Sequence, residues 1–172
     1  MTLHGLPALL TQRPEFRRLI QRLHDGEGLP ALTGITEAAR PFAIAALASA
    51  IQQPLLVVVA DEAQARQMAE TLKILVQHTH TVLFLPDRDA LPYERLISDA
   101  ATAQQRMNAL IYLATREHNV IVICSARVLT QPVIPPQELS AALYDLQPGQ
   151  EVDLTLMLEH LYNLGYEPVA EV

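Results

Sequence analysis

Short apolar runs that alternate with helix-length amphipathic segments constrain the fold of this chain more than any other feature. The runs are Leu55–Ala60, Val82–Leu85 and Val120–Ser125. Continuous apolar runs of this length are typical of strands that are covered on both faces. Strands that alternate with helices imply a parallel sheet with right-handed crossovers. The sequence therefore predicts a three-layer α/β domain over residues 29–130.

The segments between these runs have the apolar periodicity of helices. A short strand is predicted before Gly34, and a helix follows it up to Ile51. Asp61 and Gln64 have the spacing of a capping box, which predicts the start of the next helix. The residues expected to face the core on three successive helices are Ile44, Leu47, Ala48 and Ile51; Ala65, Met68, Ala69, Leu72, Leu75 and Val76; and Ala103, Met107, Leu110, Ile111 and Ala114.

The first 28 residues contain a separate amphipathic helix. Its apolar positions, such as Phe16 and Leu23, share one face, and four arginines between Arg13 and Arg22 occupy much of the rest. The arginines form either a docking patch or a solvated helix face, and the second interpretation is favoured.

Residues 131–172 are predicted to begin a second, small α+β domain. Clustered prolines interrupt the alternation of predicted strands and helices. They are followed by a predicted strand over Ala141–Leu146, a turn at Pro148-Gly149, and a helix over Asp153–Leu164 that Gly165 closes. A further strand is expected from Tyr166. Because the sequence stops within that strand, we expect this domain to be truncated and the chain to be a piece of a longer protein.

The turn after the first predicted strand has the position of a phosphate-binding loop but not its residues. Such loops have two glycines flanking four residues and then Lys-Ser/Thr, so that backbone N–H groups and an ammonium surround the phosphates. Here there is one glycine, and Ala39 and Arg40 stand near the place of the Lys-Ser/Thr pair. We predict a degenerate phosphate loop that binds no nucleotide, in which Thr36 caps the next helix. Its relic residues are Thr33, Gly34, Ile35 and Thr36.

Composition narrows the possible functions. The net charge of -7, with Lys73 as the single lysine, argues against a broad nucleic-acid-binding surface. No apolar run approaches the roughly 18 residues that span a membrane, and no signal pattern follows Met1. A cytoplasmic protein without a membrane partner is therefore expected, and one cysteine, Cys124, excludes an internal disulfide.

Histidine and cysteine offer no complete catalytic or metal-binding motif. His78 and His80 could share a metal ion, but no third ligand is evident nearby. Cys124 lies in a predicted buried strand, where a thiol behaves as a small apolar group. No catalytic residue and no metal ligand is predicted from these side chains.

The long connection after Leu85 is the most unusual segment. It follows a parallel strand, and the carboxyl ends of such strands are where open α/β sheets bind ligands. Asp87, Asp89 and Glu94 could form a metal or general-base cluster there. Because prolines stiffen the connection and no phosphate-binding lysine is near, a structural role is favoured.

This connection belongs to a series of motifs that resembles one protein family. In order they are Thr33-Gly34, Pro86-Asp-Arg-Asp-Ala-Leu-Pro-Tyr-Glu94, Arg106-Met-Asn-Ala-Leu-Ile-Tyr-Leu113, Pro135-Pro136 and Leu161-Tyr-Asn-Leu-Gly-Tyr166. They resemble the N-terminal region of the bacterial transcription-repair coupling factors, the Mfd family, whose first domains are similar to those of the excision-repair protein UvrB. The most specific part, interpreted as structural, comprises Asp89, Leu91, Pro92, Tyr93, Glu94 and Arg106.

The resemblance implies a helicase-like α/β fold without a working phosphate loop. It implies a parent protein that is an ATP-dependent DNA translocase, whose motor domains hydrolyse ATP, so this piece is expected to be non-catalytic and to hold no cofactor. Contacts with those motor domains are expected, whereas DNA and RNA polymerase are expected to bind other parts of the parent.

The resemblance also implies a partner. In the family the second domain binds UvrA, the damage-recognition ATPase, and the corresponding region here includes Gly165, Tyr166 and Glu167. Glu167 stands where the family frequently has arginine, which alters part of that surface. The expected function is recruitment of the nucleotide excision repair machinery to stalled RNA polymerase.

Two alternatives stay open at the level of the sequence. One is a nucleotide-binding enzyme of the UvrB or helicase type whose hydrolytic motifs lie elsewhere, although the missing lysine disfavours it. The other is an unrelated α/β domain with an accidental resemblance.

Overall fold

The computed structural model describes residues 5–28, 30–51, 53–76, 79–88, 99–114, 119–144 and 146–167. The chain divides into two compact units, Met1–Val133 and Ile134–Val172. The helices of the first unit are α1 (Gly5–Thr11), α2 (Pro14–His24), α3 (Arg40–Ile51), α4 (Glu62–Val76) and α5 (Ala100–Ala114), and its strands are β1 (Leu55–Val59), β2 (Thr81–Leu85) and β3 (Val120–Ser125). Two short 3-10 helices span Glu37–Ala39 and Ala126–Thr130, and the second unit contains α6 (Pro136–Ala142) and α7 (Leu154–Asn163).

The three strands form a parallel sheet in the order β1-β3-β2. Strand β3 lies in the centre, where Val122 is opposite Leu56 on one side and Leu83 on the other. All six residues of β3 are buried. The prediction of a parallel α/β sheet with a fully buried strand at Val120–Ser125 is confirmed.

Side chains of β3 alternate between two apolar cores, one on each face of the sheet. Ile121 and Ile123 pack with Leu72 of α4 and with alanines of α3. Val122 and Cys124 belong to the opposite core, together with Ala109 of α5. Helices thus cover both faces of the central strand, as the three-layer prediction requires. The helicase-like type of the sheet stays a prediction.

Strand β1 differs from its prediction because it is covered on one face only. Leu55, Val57 and Val59 pack against the core beneath α3 and α4. Leu56 and Val58 point to the other face and are 55% and 42% exposed. The apolar run predicted the strand correctly, but an edge strand outside the reach of α5 is not covered twice.

The inward faces of α3 and α5 differ in part from their predictions. Ala48 of α3 is buried as predicted, but Ile44, Leu47 and Ile51 are only partly buried. The other buried residues of α3 are Pro41 and three alanines, because this helix packs against α4 on one side and against α1 and α2 on another. In α5 the buried residues are Arg106 and Ala109, whereas Met107 is exposed. Because arginine usually faces solvent, the apolar pattern of α5 predicted a buried stripe that lies one residue away from the observed one.

Helix α4 follows its prediction closely. The predicted stripe is buried except for Met68, which packs against the same core from a partly exposed position. The Gln64 N–H donates to Oδ1 of Asp61 at 2.9 Å, so the predicted cap is present.

The described part of the second unit is helical. The strand predicted over Ala141–Leu146 is wrong, because Pro136 occupies the first turn of α6 and this helix continues to Ala142. Asp153 caps α7, and Gly165 ends it with a φ of 88°. No residue of α7 is buried, so its predicted leucine stripe is present but open to solvent. Of the strand predicted from Tyr166, only residues 166 and 167 lie within the described range, and they are irregular.

Substitution Asp61→Ala should lower the free energy of unfolding by about 1 kcal/mol, because the first turn of α4 loses its side-chain cap. Glu70→Ala on the same helix removes only the exposed pair with Lys73 and should cost less than about 0.5 kcal/mol. Urea denaturation followed by circular dichroism measures both. Equal effects would contradict a capping role for Asp61.

Candidate functional site at the sheet edge and the adjacent groove

The predicted phosphate-loop relic lies outside the sheet. Residues 30–33 are irregular, and residues 31–33 are exposed, so the strand predicted before Gly34 is wrong. The central strand β3 pairs with β1 on one side and with β2 on the other, so this segment cannot pair with β3. Gly34 adopts a φ of 76°, a left-handed conformation that favours glycine.

The other residues of the predicted relic are Thr33, Ile35 and Thr36, and of these Ile35 packs against an apolar core. Ile35 packs against the core formed by Phe16 and alanines of α3. Thr36 precedes the 3-10 helix, but its side chain makes no capping hydrogen bond, so the predicted cap is wrong. Thr33 is exposed.

A groove of about 1010 Å³ lies beside this segment. Strand β1 contributes Val57, Val58 and Val59 to its lining, and α4 contributes polar and apolar side chains on another side. Glu37 and Arg40 are the charged residues among those that line it. Phosphate sites need converging backbone N–H groups and a net positive charge, whereas this lining carries one charge of each sign.

The carboxyl ends of β2 and β3 are joined by a hydrogen bond between side chains. The Ser125 hydroxyl donates to Oδ1 of Asp87 at 2.7 Å. The backbone N–H of Asp87 donates to Oε2 of Glu62 at 3.3 Å, which ties the same point to the first turn of α4. Asp87 thus forms hydrogen bonds through both its backbone N–H and its side-chain carboxylate.

Arg106 is the centre of this polar cluster. Its Nη1 donates to the carbonyl of Pro86 and, at 3.1 Å, to Oε1 of Gln131. The side chain is 7% exposed, and Nη2 is buried without a partner among the described residues. Burial, and secondarily the nearby Arg88, lower the pKa of Arg106, while Asp87 acts in the opposite direction.

Arg88 closes the cluster against the segment that follows β3. Its N–H donates to Oε1 of Gln131 at 3.2 Å, and its Nη2 donates to the carbonyl of Pro132 at 3.0 Å. Gln131 therefore accepts from Arg88 and Arg106 through one oxygen. The arrangement anchors the start of the connection after β2.

Cys124 is not activated for chemistry. Its side chain is fully buried, and burial together with the nearby Asp87 carboxylate raises the pKa of its thiol. A raised pKa disfavours the thiolate, which is the nucleophilic form. Among the described residues, no group of three or more His, Cys, Asp or Glu side chains could hold a metal ion. His78 lies outside those residues.

Most of the predicted site residues in the connection after β2 lie outside the part of the chain that the structure describes. Asp89, Leu91, Pro92, Tyr93 and Glu94 lie outside the described residues. Arg106 is buried at the point where this connection begins, and its predicted structural role stays a prediction. Gly165, Tyr166 and Glu167 follow α7 in the second unit, and Tyr166 is 63% exposed. Sequence reasoning missed Ser125 and Gln131, since neither belongs to a motif.

The arginines of α2 are exposed, as either interpretation of them requires. Arg17 donates to the carbonyl of Thr11 at 3.3 Å, and Arg22 lies 3.9 Å from Glu27. These exposed contacts have small energies, so the solvated face stays the favoured interpretation.

Substitution Arg106→Met should lower the free energy of unfolding by about 2–3 kcal/mol, because the carbonyl of Pro86 and the amide of Gln131 lose a charged donor in a buried place. Lys73→Met, which removes an exposed cation, should cost less than about 1 kcal/mol. Denaturant unfolding measures both variants. An Arg106→Met protein as stable as Lys73→Met would contradict the anchoring role.

The raised pKa of Cys124 predicts a dependence of stability on alkaline pH. At neutral pH the thiol is protonated in both the folded and the unfolded chain, so its ionisation has no effect. Above about pH 8.5 the unfolded chain loses this proton first, and the free energy of unfolding falls, by at most about 1.4 kcal/mol per pH unit. Cys124→Ala should lack this component. Parallel stability curves for the two proteins between pH 7 and 10 would contradict the prediction.

Comparison with known proteins gives relatives of two kinds. The chain is 28% identical to the transcription-repair-coupling factor of Myxococcus xanthus over 157 residues, which are 88% of this chain. It is 25% identical to the UvrABC system protein B of Thermosipho africanus over 93% of its length. It is also 22% identical to the transcription-repair-coupling factor of Bacillus subtilis over 95% of its length. No family model matches the chain.

The matches cover most of this chain but a small part of each relative. They span 13% and 14% of the two coupling factors and 26% of the Thermosipho protein. Within the described residues, no helix combines the length and the hydrophobicity needed to cross a membrane. Over about nine-tenths of its length, the chain is a homologue of the transcription-repair-coupling factors and of UvrB.

Proposed function

We propose that this chain is a non-catalytic module of a transcription-repair coupling factor, which helps to recruit the excision repair protein UvrA to stalled RNA polymerase. The observation that carries the proposal is the homology to both coupling factors and UvrB over the same stretch of sequence. A stretch shared by two kinds of DNA-repair protein points to a role in DNA repair.

The composition of the groove supports the non-catalytic part of the proposal. Beside the Gly34 turn, the lining has Arg40 as its cation and Glu37 close to it in sequence, and both are exposed. Hydrolysis of a nucleotide needs groups that neutralise the charge developing on the phosphates. The parent protein's ATP would then be bound and hydrolysed by its motor domains, and this module would need no cofactor.

The end of α7 supports the partner. Tyr166 is 63% exposed and follows Gly165, whose turn ends the helix. Exposed aromatic side chains are frequent anchors in protein interfaces. In this proposal UvrA contacts the region of Gly165, Tyr166 and Glu167, while DNA, RNA polymerase and the motor domains engage through the rest of the parent protein.

A nucleotide-binding enzyme of the UvrB type is the second candidate. The observation that favours it is the size of the groove, about 1010 Å³, at the carboxyl end of β1. Open α/β sheets bind ligands at this edge. The absence of a lysine from the lining places it second.

Titration with ATP and Mg²⁺ distinguishes the two candidates. The first predicts no saturable binding below millimolar nucleotide and no phosphate release, with the same result for Arg40→Ala. The second predicts binding that Arg40→Ala weakens, because Arg40 is the cation of the lining. Saturable, Arg40-dependent binding would overturn the non-catalytic proposal.

Capture of purified UvrA by the immobilised chain tests the partner. Tyr166→Ser should weaken binding at least tenfold, since interface aromatics often contribute 2 kcal/mol or more. Tyr162→Ser is the matched control, because Tyr162 is 66% exposed but lies within α7, and it should leave binding unchanged. No capture by the chain or by a version extended through the whole second domain would overturn the partner assignment.

A further inference from the structure

The first unit ends in a short exposed segment, residues 131–133, which we call the exit segment. Val133 is the last residue of the first unit and Ile134 is the first of the second. Gln131 ends the 3-10 helix that follows β3. Gln131 is half-buried, and Pro132 and Val133 are exposed. Burial therefore contributes little to the order of the exit segment, and its hydrogen bonds carry more weight.

Arg88 and Arg106 hold the exit segment through three hydrogen bonds. Nη1 of Arg106 donates to Oε1 of Gln131 at 3.1 Å, and the backbone N–H of Arg88 donates to the same oxygen at 3.2 Å. Nη2 of Arg88 donates to the carbonyl of Pro132 at 3.0 Å. These donors lie 25, 43 and 44 residues from their acceptors along the chain. The three bonds therefore exist only when the first unit is folded.

We propose that Arg88, Arg106 and Gln131 form a latch that couples the chain leaving β2 to the exit segment. In the closed latch both stretches are ordered together, and the loss of either arginine contact releases both. Ligands of open α/β sheets bind at the carboxyl ends of the strands. The latch thus links that edge of the sheet to the point where the second unit begins. This inference does not depend on the proposed partner or on the lack of catalysis.

Proline extends the effect of the latch along the exit segment. The proline ring fixes φ at about −65°, and the residue before a proline is confined to extended conformations. Gln131, which precedes Pro132, accordingly has a ψ of 136°. Pro135 limits Ile134 in the same way. Because few backbone angles are free, a hydrogen bond that fixes the carbonyl of Pro132 also restricts Val133.

The charges around Gln131 offer a way to tighten the latch. Arg88 is close enough to Arg106 to lower the pKa of Arg106, and Asp87 is the carboxylate that acts in the opposite direction. Gln131 itself is a neutral acceptor between two cations. A carboxylate of the same size would turn its bond with the Arg88 N–H into a charge-assisted one, and such bonds are roughly twice as strong as neutral ones.

NMR of the 172-residue chain tests the latch from both sides. Arg88→Met removes the donor to Pro132, and the N–H order parameter of Val133 should fall from about 0.85 to below about 0.6. Gln131→Leu removes the acceptor of the Arg88 N–H, so exchange of that amide should quicken about tenfold, as the loss of one hydrogen bond predicts. Gln131→Glu should slow the same exchange about threefold or more.

Arg127→Met is the matched control, because Arg127 is an exposed cation in the 3-10 helix that Gln131 ends and lies outside the latch. It should change neither measurement. Gln131→Glu keeps the size of the side chain, so it retains the test if Gln131→Leu fails to fold. The proposal is overturned if Val133 is already mobile in the unaltered chain, if Arg88→Met leaves it ordered, or if exchange at Arg88 responds to neither change of Gln131.

Discussion

The fold of the first unit depends on the pairing of β3 with a strand on each side while both of its faces are buried. A fully buried valine or isoleucine contributes roughly 1.5–3 kcal/mol, against roughly 1–2 kcal/mol for fixing the backbone of one residue. Val120, Ile121, Val122 and Ile123 of β3 have this favourable balance because α3 and α4 cover one face and the core with α5 covers the other. In β1 alternate residues are only partly buried, and Leu56 and Val58 remain exposed. Burial therefore stabilises the centre of the sheet most, whereas the β1 edge keeps exposed apolar surface.

Arg106 stabilises one end of the sheet through hydrogen bonds, whereas the apolar cores stabilise its faces. A parallel sheet has unpaired backbone groups where its strands end, and a connection leaving β2 needs partners for them. The guanidinium supplies donors to the carbonyl of Pro86 and to Gln131, which also accepts from the N–H of Arg88. Burying this cation is costly, as the lowered pKa of Arg106 indicates, and its hydrogen bonds to Pro86 and Gln131 offset part of the cost. Ser125 and Asp87 join the ends of the two neighbouring strands in the same way, with neutral and anionic partners.

Sequence reasoning succeeded where one local signal decides the structure and failed where tertiary context decides it. The strands β1 and β3, the cap of α4 at Asp61 and the turn at Gly165 each follow from a few adjacent residues. The buried arginine of α5 does not, because its burial depends on a carbonyl 20 residues away. The exposed face of β1 does not either, since strand order determines which strand lies at the edge. Of the candidate site, the sequence indicated Arg106 and the Gly34 turn, but Ser125 and Gln131 acquire their roles only through contacts that folding creates.

The Gly34 turn has the conformation of one residue of a phosphate-loop motif, which combines two kinds of residue. A phosphate loop combines residues with a conformational role and residues with a chemical role. Gly34 has the first, since a φ of 76° is readily accessible to glycine whatever the loop binds. The lysine has only the second, and here Ala39 and Arg40 stand near the place of the Lys-Ser/Thr pair. Arg40, at the start of α3, is exposed and lines the same groove as Glu37. Residues 31–33, which would belong to a strand in a phosphate-binding sheet, are irregular and exposed, so tertiary context and not the motif determines their conformation.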